Sequence, residues 1–141
     1  MGLELNIHWD KNKLSYIGRT KVKNQTIEIS LEEDGASNDT VWFNIVLTVY
    51  NKRKDYYKLH DHKTISGKYP FETIVAGLKL FDELEKRCLN DFDYLNVIIY
   101  CTWSDNRRRD AYWSILKRRG YKWGNIDKQK VIMKRIEKNE T

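Results

Sequence analysis

Apolar residues follow two different spacings along this chain, and the change of spacing separates strands from helices. In the first third they alternate with polar residues, the period of two that is typical of half-buried strands. This alternation predicts a meander of strands over 3–9, 14–22 and 27–31. Between 71 and 88 apolar residues recur instead at steps of three and four, which predicts one long helix with a single apolar stripe.

Two longer apolar runs predict strands that are covered on both faces. The run 41–50 consists largely of β-branched and aromatic residues, and we expect it near the middle of the sheet. The run 95–101 is nearly unbroken as well, which favours a central strand over an edge strand. These two runs therefore supply the centre of the predicted sheet.

The helix that follows residue 101 has clear start and stop signals. Gly120 can end it in the left-handed conformation that closes many helices. A last strand is then predicted over 130–136. The residues that can cap the start of this helix through a side-chain oxygen are Ser104, Asp105 and Asn106.

Three further local features complete the predicted elements. The segment 33–40 concentrates Asp, Gly, Ser and Asn and predicts a loop, and the segment 55–62 predicts another strand. Gly77 lies inside the long helix, where glycine costs about 1 kcal/mol relative to alanine. We therefore expect Gly77 to mark a close contact between the helix and the sheet.

Together these elements predict an α/β protein, more specifically an α+β mixed sheet, in a single domain over residues 1–141. An N-terminal antiparallel meander is followed by strand, helix, strand, helix and strand. No apolar run approaches the roughly 20 residues needed to cross a bilayer, so we expect a cytoplasmic protein that does not bind a membrane. The isolated Cys88 and Cys101 are expected to be reduced residues of the core.

Positive charge is concentrated near the C-terminus. Within a formal net charge of +6, residues 101–141 carry twelve Lys or Arg against five Asp or Glu, whereas residues 1–100 carry fourteen against fifteen. This asymmetry predicts an anion-binding face. The residues that we assign to this basic and aromatic C-terminal face are Arg107, Arg108, Arg109, Trp113, Lys117, Arg118, Arg119 and Lys122.

Aromatic rings lie between these charges, and they can offer stacking surfaces to a ligand. The arginines at 107–109 fall at the predicted helix start, where positive charge opposes the helix dipole and costs stability unless an anion binds. The alternative interpretation is a charged outer helix face without a ligand. The rings in question are Trp103, Trp113, Tyr121 and Trp123.

The order of elements over residues 41–136 resembles that of the GNAT acetyltransferase superfamily. In that family a strand leads into an acyl-CoA-binding loop and helix, followed by a strand, a helix and a final strand. The ending carries the resemblance, since helix residues 115–119 precede Gly120 and Tyr121 as the family's helix precedes a glycine and an aromatic residue. The segment 131–135 resembles the family's closing strand. The resemblance implies a GNAT-like fold and, for a typical member, acetyl transfer from acetyl-CoA to an amine.

The chain departs from the family where the family performs its chemistry. The Arg or Gln and the two small residues of the family's pyrophosphate loop fall on Ser66, Tyr69 and Phe71. The family's frequent general-acid Tyr falls on Leu116. The pair of helices that precedes the family's middle strands is replaced here by strands. If acyl-CoA binds, the resemblance assigns it to Gly67, Lys68 and Tyr69.

Other candidate groups have simpler explanations. His60 and His62 flank Asp61 on a predicted strand, but no further ligand completes a metal site, so we expect no metal. Cys101 ends the central strand without a neighbouring His and is expected in the core. Candidate general bases beside the sheet, for which a solvated loop is the favoured interpretation, are Glu32, Glu33, Asp34 and Asp39.

Three functions remain open. The favoured one is a non-catalytic GNAT-like domain that needs no cofactor and acts as a binding or inhibitory module on a macromolecular partner, protein or nucleic acid, through its basic and aromatic C-terminal face. The second is an acetyl-CoA-dependent N-acetyltransferase with a variant cofactor loop. The third is a dedicated nucleic-acid-binding protein, whose affinity should fall steeply with salt.

Overall fold

Within residues 4–23, 25–50, 70–103 and 106–138, which the computed structural model describes, the chain forms one mixed β-sheet and two helices. Helix α1 covers Pro70–Asp91, and helix α2 covers Asn106–Leu116 and continues into a 3-10 turn, Lys117–Arg119. Neither of these helices is long and apolar enough to cross a membrane. The strands are β1 (Asn6–Asp10), β2 (Ser15–Val22), β3 (Gln25–Ala36), β4 (Thr40–Tyr50), β5 (Asn96–Cys101), β6 (Lys122–Ile126) and β7 (Gln129–Glu137).

The strands lie in the order β1-β2-β3-β4-β5-β7-β6, so the predicted α+β mixed sheet is confirmed. Strands β1 to β4 form the predicted antiparallel meander. Strands β4 and β5 are parallel, and α1 lies between them in the chain because parallel neighbours need a crossover connection. β4 is the middle strand and β5 is its neighbour, which confirms the central positions predicted for both apolar runs. Leu95 itself precedes β5 and is exposed.

The core lies on the face of the sheet against which α1 packs. On this face Phe43 of β4 and Ile99 of β5, which pair with each other, are fully buried. The predicted stripe of α1 is confirmed for Phe81, Leu84 and Cys88, which are buried. Ala76 and Leu80 are buried as well. The centre of the buried side of α1 is therefore rotated about the helix axis from the centre of the predicted stripe.

Helix α1 approaches the sheet very closely at Gly18 of β2. A Cβ atom at Gly18 would lie 2.8 Å from Leu80 Cδ1 and 3.0 Å from Leu84 Cδ1. At Gly77, in contrast, an added Cβ would meet no described atom within 4 Å. The interpretation of Gly77 as the helix–sheet contact is therefore wrong, because the glycine that permits this contact is on the strand.

The predicted loop over 33–40 is mostly strand. β3 continues to Ala36 through a bulge between Glu33 and Gly35, and β4 already begins at Thr40. A bulge accommodates an extra residue without ending the ladder, so the polar composition of this segment did not stop the strand. The strand predicted over 55–62 lies outside the described residues.

The hairpin of β6 and β7 ends at a two-residue turn. Asp127 and Lys128 both have positive φ, 50° and 69°, between the paired residues Ile126 and Gln129. Strand β7 confirms the predicted last strand, whereas β6 has no counterpart in the predicted elements. Gly120 has φ 86° after the 3-10 turn, which confirms its predicted role in ending the helix. Asn106 is the first residue of α2, and the other two predicted caps, Ser104 and Asp105, lie outside the described residues.

Polar contacts tie α1 to the C-terminal part of the sheet. The hydroxyl of Tyr121 donates a hydrogen bond of 2.8 Å to Glu85 Oε2, and Lys134 Nζ lies 3.0 Å from Glu85 Oε1. Tyr121 is 1% exposed, and burial together with the Glu85 carboxylate raises the pKa of its hydroxyl well above the usual value. One carboxylate of α1 therefore satisfies two polar groups that reach it from the C-terminal segment.

The two cysteines are buried free thiols, as predicted. Cys88 lies on α1 and Cys101 ends β5. Burial raises the pKa of both thiols to about 12. Both are therefore protonated near neutral pH, which suits core residues and not nucleophiles.

Candidate binding face at the C-terminal edge of the sheet

A row of paired residues crosses the C-terminal half of the sheet and ends at an exposed indole. Cys101 of β5 pairs with Ile132 of β7, and Ile132 pairs with Trp123 of β6. Opposite residues of antiparallel strands share a face, so Trp123 lies on the same side as the core. Cys101 and Ile132 are buried, whereas Trp123 is 40% exposed. The row thus continues the core to the edge of the sheet.

Three tryptophans from successive elements meet at this edge. The ring centroid of Trp113, on α2, lies 4.9 Å from that of Trp123, and the ring planes are inclined by 33°. Trp103, which follows β5, meets Trp123 edge-on at 5.7 Å and 89°. Both arrangements are favourable for aromatic pairs. Trp103 and Trp113 also pack against the core, so the exposed ring is held from two sides.

A lysine of the neighbouring strand completes the group. Lys130 Nζ lies 5.0 Å from the ring centroid of Trp123, a distance at which a cation is attracted to an indole. Lys130 pairs with Asn125, two residues from Trp123, so the two side chains are diagonal neighbours on one face. We refer to Trp103, Trp113, Trp123 and Lys130 as the tryptophan cluster.

Helix α2 and the 3-10 turn after it add positive charge before and after Trp113 in the chain. Arg109 precedes Trp113 by four residues on α2, a spacing that places side chains on the same side of a helix, and Lys117 follows it by four residues as the first residue of the 3-10 turn. Arg109 Nε is 3.0 Å from Asp110 Oδ1, a surface ion pair of small energy. Lys117 is exposed and forms no ion pair with any described residue. The tryptophan cluster is therefore flanked by cations.

The structure separates the predicted C-terminal face into residues with different surroundings. Arg119 donates two hydrogen bonds to the carboxylate of Asp82, at 2.8 and 3.1 Å, so its charge is already paired with α1. Lys122 is exposed but alternates with Trp123 along β6 and therefore points to the opposite side of the sheet. Arg118 is exposed on the 3-10 turn. Tyr121, which the sequence suggested as a stacking ring, is buried and offers no surface to a ligand.

The run of three arginines lies at the start of α2, as the sequence predicts. Arg107, Arg108 and Arg109 fall in the first turn of α2, and this turn contains no acidic residue. Positive charge there opposes the partial positive charge of the helix N-terminus. The first turn of α2 thus combines a run of basic residues with the positive end of the helix dipole.

Several sequence candidates fall outside the described residues. These are the positions that the family resemblance assigns to acyl-CoA and the predicted histidine pair with its aspartate: Gly67, Lys68, Tyr69, His60, Asp61 and His62. Leu116, at the place of the family's general acid, is 4% exposed and belongs to the core. Over the described ranges, no group of three or more His, Cys, Asp or Glu side chains could hold a metal ion.

The acidic candidates lie on a strand and not in a solvated loop, apart from Asp39, which is exposed just before β4. Glu32, Glu33 and Asp34 belong to β3, and Asp34 accepts a hydrogen bond from the hydroxyl of Tyr100. Burial and this carboxylate raise the pKa of Tyr100. A phenol of this kind stays protonated near neutral pH, so it donates the hydrogen bond that joins β5 to β3.

Sequence reasoning identifies the three tryptophans but misses Lys130. To predict the contact of Lys130 with Trp123, one would need the register of β6 on β7, because that pairing places the two residues diagonally to each other. The turn at Asp127 and Lys128 lacks the glycine that usually marks a two-residue hairpin, so the sequence pattern alone does not reveal the register.

Comparison with protein-family models, with curated proteins and with solved structures finds no match to this chain. The resemblance to the GNAT superfamily therefore stays a prediction that rests on the order of elements.

Proposed function

We propose that this protein is a non-catalytic binding module that engages a macromolecular partner through the tryptophan cluster and the neighbouring cations of α2 and the 3-10 turn, Arg109 and Lys117. The observation that carries the proposal is the exposed ring of Trp123, which contacts Trp103 and Trp113 and has the Nζ atom of Lys130 over it. Tryptophan and arginine are the side chains most enriched among the residues that dominate binding energy at interfaces.

The rigidity of the cluster supports this role. A side chain that is already held in one orientation loses little conformational freedom when a partner covers it, so more of the contact energy appears as affinity. Trp123 is held by two ring contacts and by the register of β6 on β7. Its 40% exposure leaves ring surface available for a partner.

The position of Leu116 supports the absence of catalysis. A GNAT acetyltransferase commonly uses a tyrosine hydroxyl at this place, and here a buried aliphatic side chain packs into the core. An aliphatic side chain can neither donate nor accept a proton.

Affinity capture from an extract of cells that express the chain tests the proposal. We expect the wild-type protein to retain a partner that the double variant Trp123→Leu/Lys130→Gln loses. The matched control is Trp9→Leu/Lys11→Gln, which removes a 36% exposed tryptophan and a lysine near the other edge of the sheet. Thermal unfolding of all three proteins establishes that they are folded. Identical retained material from wild type and from the cluster variant would contradict the proposal.

A second function, acetyl-CoA-dependent N-acetyl transfer, is favoured by one observation. The parallel strands β4 and β5 are joined through α1, and α2 follows β5, which is the order of elements in that family. Calorimetric titration of acetyl-CoA separates the two functions. We expect no binding by the folded protein, whereas a dissociation constant in the micromolar range would contradict the non-catalytic proposal and favour a variant cofactor loop.

A further inference from the structure

We propose that the partner of the tryptophan cluster is single-stranded nucleic acid, one base of which stacks on Trp123 while its phosphates lie against Lys130, Lys117 and Arg109. This inference rests on the proposed function, since it names the partner of the same face.

The first step is the geometry of the rings. Trp113 lies only 33° from parallel to Trp123, and Trp103 supports the same ring edge-on. A base that stacks on the exposed part of Trp123 would therefore add a third ring contact to the two that already hold this indole. Stacking on aromatic side chains is the main way in which proteins bind unpaired bases, and every base has a face that can take part.

The second step is the distribution of charge around the rings. Lys130 Nζ is 5.0 Å from the centre of the Trp123 ring, and Arg109 and Lys117 stand four residues before and after Trp113, on α2 and on the 3-10 turn. Cations interleaved with exposed rings match a strand that alternates phosphates with bases. An acidic peptide would pair with the cations but has no aromatic face for the indole. An apolar peptide would cover the indole and bury the lysine charge at a cost.

The third step distinguishes single strands from duplexes. In a duplex the faces of each base are covered by its neighbours, so an indole could stack only after a base had been extruded, which costs a few kcal/mol. Phosphate contacts to a duplex would use the cations and leave the exposed Trp123 without a role. DNA and RNA single strands present the same bases and phosphates, and the experiment compares them.

The test is fluorescence anisotropy with labelled probes of about fifteen units. These are oligodeoxythymidine, oligouridine, an abasic oligodeoxynucleotide with the same phosphates, a DNA duplex and a polyglutamate peptide. We expect at least one of the two single strands to bind roughly tenfold or more tightly than the abasic strand, the duplex and the peptide. We also expect a steep loss of affinity with added salt.

Variants assign the binding to the cluster. Trp123→Leu should weaken single-strand binding by roughly tenfold or more, whereas Trp9→Leu, at the other edge of the sheet, should change it less than about twofold. Lys130→Gln, which keeps all three indoles, should weaken binding and reduce its salt dependence. If Trp123→Leu proves unfolded in the thermal scan, Lys130→Gln still decides the assignment.

The outcomes separate this inference from the proposed function. Equal affinity for the abasic strand and the base-containing strands would overturn base stacking, and preference for polyglutamate would identify an acidic protein partner. In either case the inference fails, while loss of captured partner by Trp123→Leu/Lys130→Gln would still support the binding module. If neither the probes nor the captured partner depends on the cluster, both proposals fail.

Discussion

The contact at Gly18 shows how one missing side chain fixes the distance between a helix and a sheet. Leu80 and Leu84, the side chains that a Cβ at Gly18 would meet at 2.8 and 3.0 Å, are both 0% exposed. Fully buried leucines have little room to move aside, because protein interiors are close-packed. Helix α1 can therefore lie on β2 at this depth only while position 18 lacks a side chain.

A matched pair of glycine substitutions tests this contact. We expect Gly18→Ala to lower the free energy of unfolding by about 1–3 kcal/mol, the usual cost of overpacking a core. Gly77→Ala should raise it by up to about 1 kcal/mol, because alanine is the better helix former and no described atom stands in its way. Urea denaturation of both variants and the wild type measures the two effects. Destabilisation of the same size at both positions would refute the assignment of the contact to Gly18.

At the scale of elements, Glu85 is the polar link between α1 and the C-terminal segment. Its carboxylate accepts a hydrogen bond from Tyr121 and forms an ion pair with Lys134. Lys134 Nζ also lies 5.5 Å from the ring centre of Tyr121, so the three groups form one contact unit. Removal of the carboxylate would leave a buried hydroxyl and a half-buried ammonium without this acceptor.

We therefore expect Glu85→Ala to lower the free energy of unfolding by about 1–3 kcal/mol, the cost of leaving a buried polar group without a partner. The control is Glu83→Ala on the same helix, since Glu83 is exposed and its replacement should change stability by less than about 0.5 kcal/mol. Chemical denaturation compares the two variants. If Tyr121→Phe/Glu85→Ala loses as much stability as the two single changes added together, the groups are not coupled and the link is absent.

Element types could be predicted from the sequence where the apolar period was long and unambiguous. The central strands and α1 satisfy this condition, and so does the left-handed end at Gly120. The prediction failed at β3, where a bulge at Glu33 and Gly35 lets a polar segment stay in the ladder. It failed again at β6, a five-residue strand with Gly124 at its centre and a hairpin turn that carries no glycine.

The candidate site could be predicted only in part, because some of its contacts join residues that are distant in the sequence. The three tryptophans stand out in the sequence because they lie before, between and after the two basic runs 107–109 and 117–119, and their convergence follows from the strand order β5-β7-β6. Lys130 and the pairing of Arg119 with Asp82 depend on contacts between distant segments. A charge count cannot show which cations are already paired.

At the scale of the whole molecule, the buried ionisable groups predict a loss of stability in alkaline solution. Burial raises the pKa of Cys88 and Cys101 from 9.0 to about 12, and it also raises the pKa values of Tyr16, Tyr100 and Tyr121. Above pH 9 the unfolded chain therefore releases protons that the folded chain keeps. The unfolded state then binds fewer protons, so the free energy of unfolding falls as pH rises.

Each thiol should contribute up to about 1.4 kcal/mol per pH unit between pH 9 and its folded pKa, with full stability below pH 9. Urea denaturation from pH 7 to pH 11 measures the slope. Cys88→Ala/Cys101→Ala should be less stable at neutral pH because of the cavities. Its stability should nevertheless fall less steeply between pH 9 and 10, because it keeps the tyrosines but lacks the two thiols. An equal slope for the variant and the wild type would show that the thiols do not contribute.

The parallel pairing of β4 with β5 also has a consequence for how quickly the chain reaches its native state. The hairpins of β1 to β4 and of β6 with β7 join residues that are near neighbours in the chain, but the central pair joins Val41 to Val97. Closing so long a stretch carries an entropic cost before any contact compensates for it, and such non-local pairing slows folding. Until β5 arrives, one side of β4 presents unpaired backbone groups, which favour association between chains. During synthesis the middle of the sheet can therefore form only after the strands of the last third of the protein have been made.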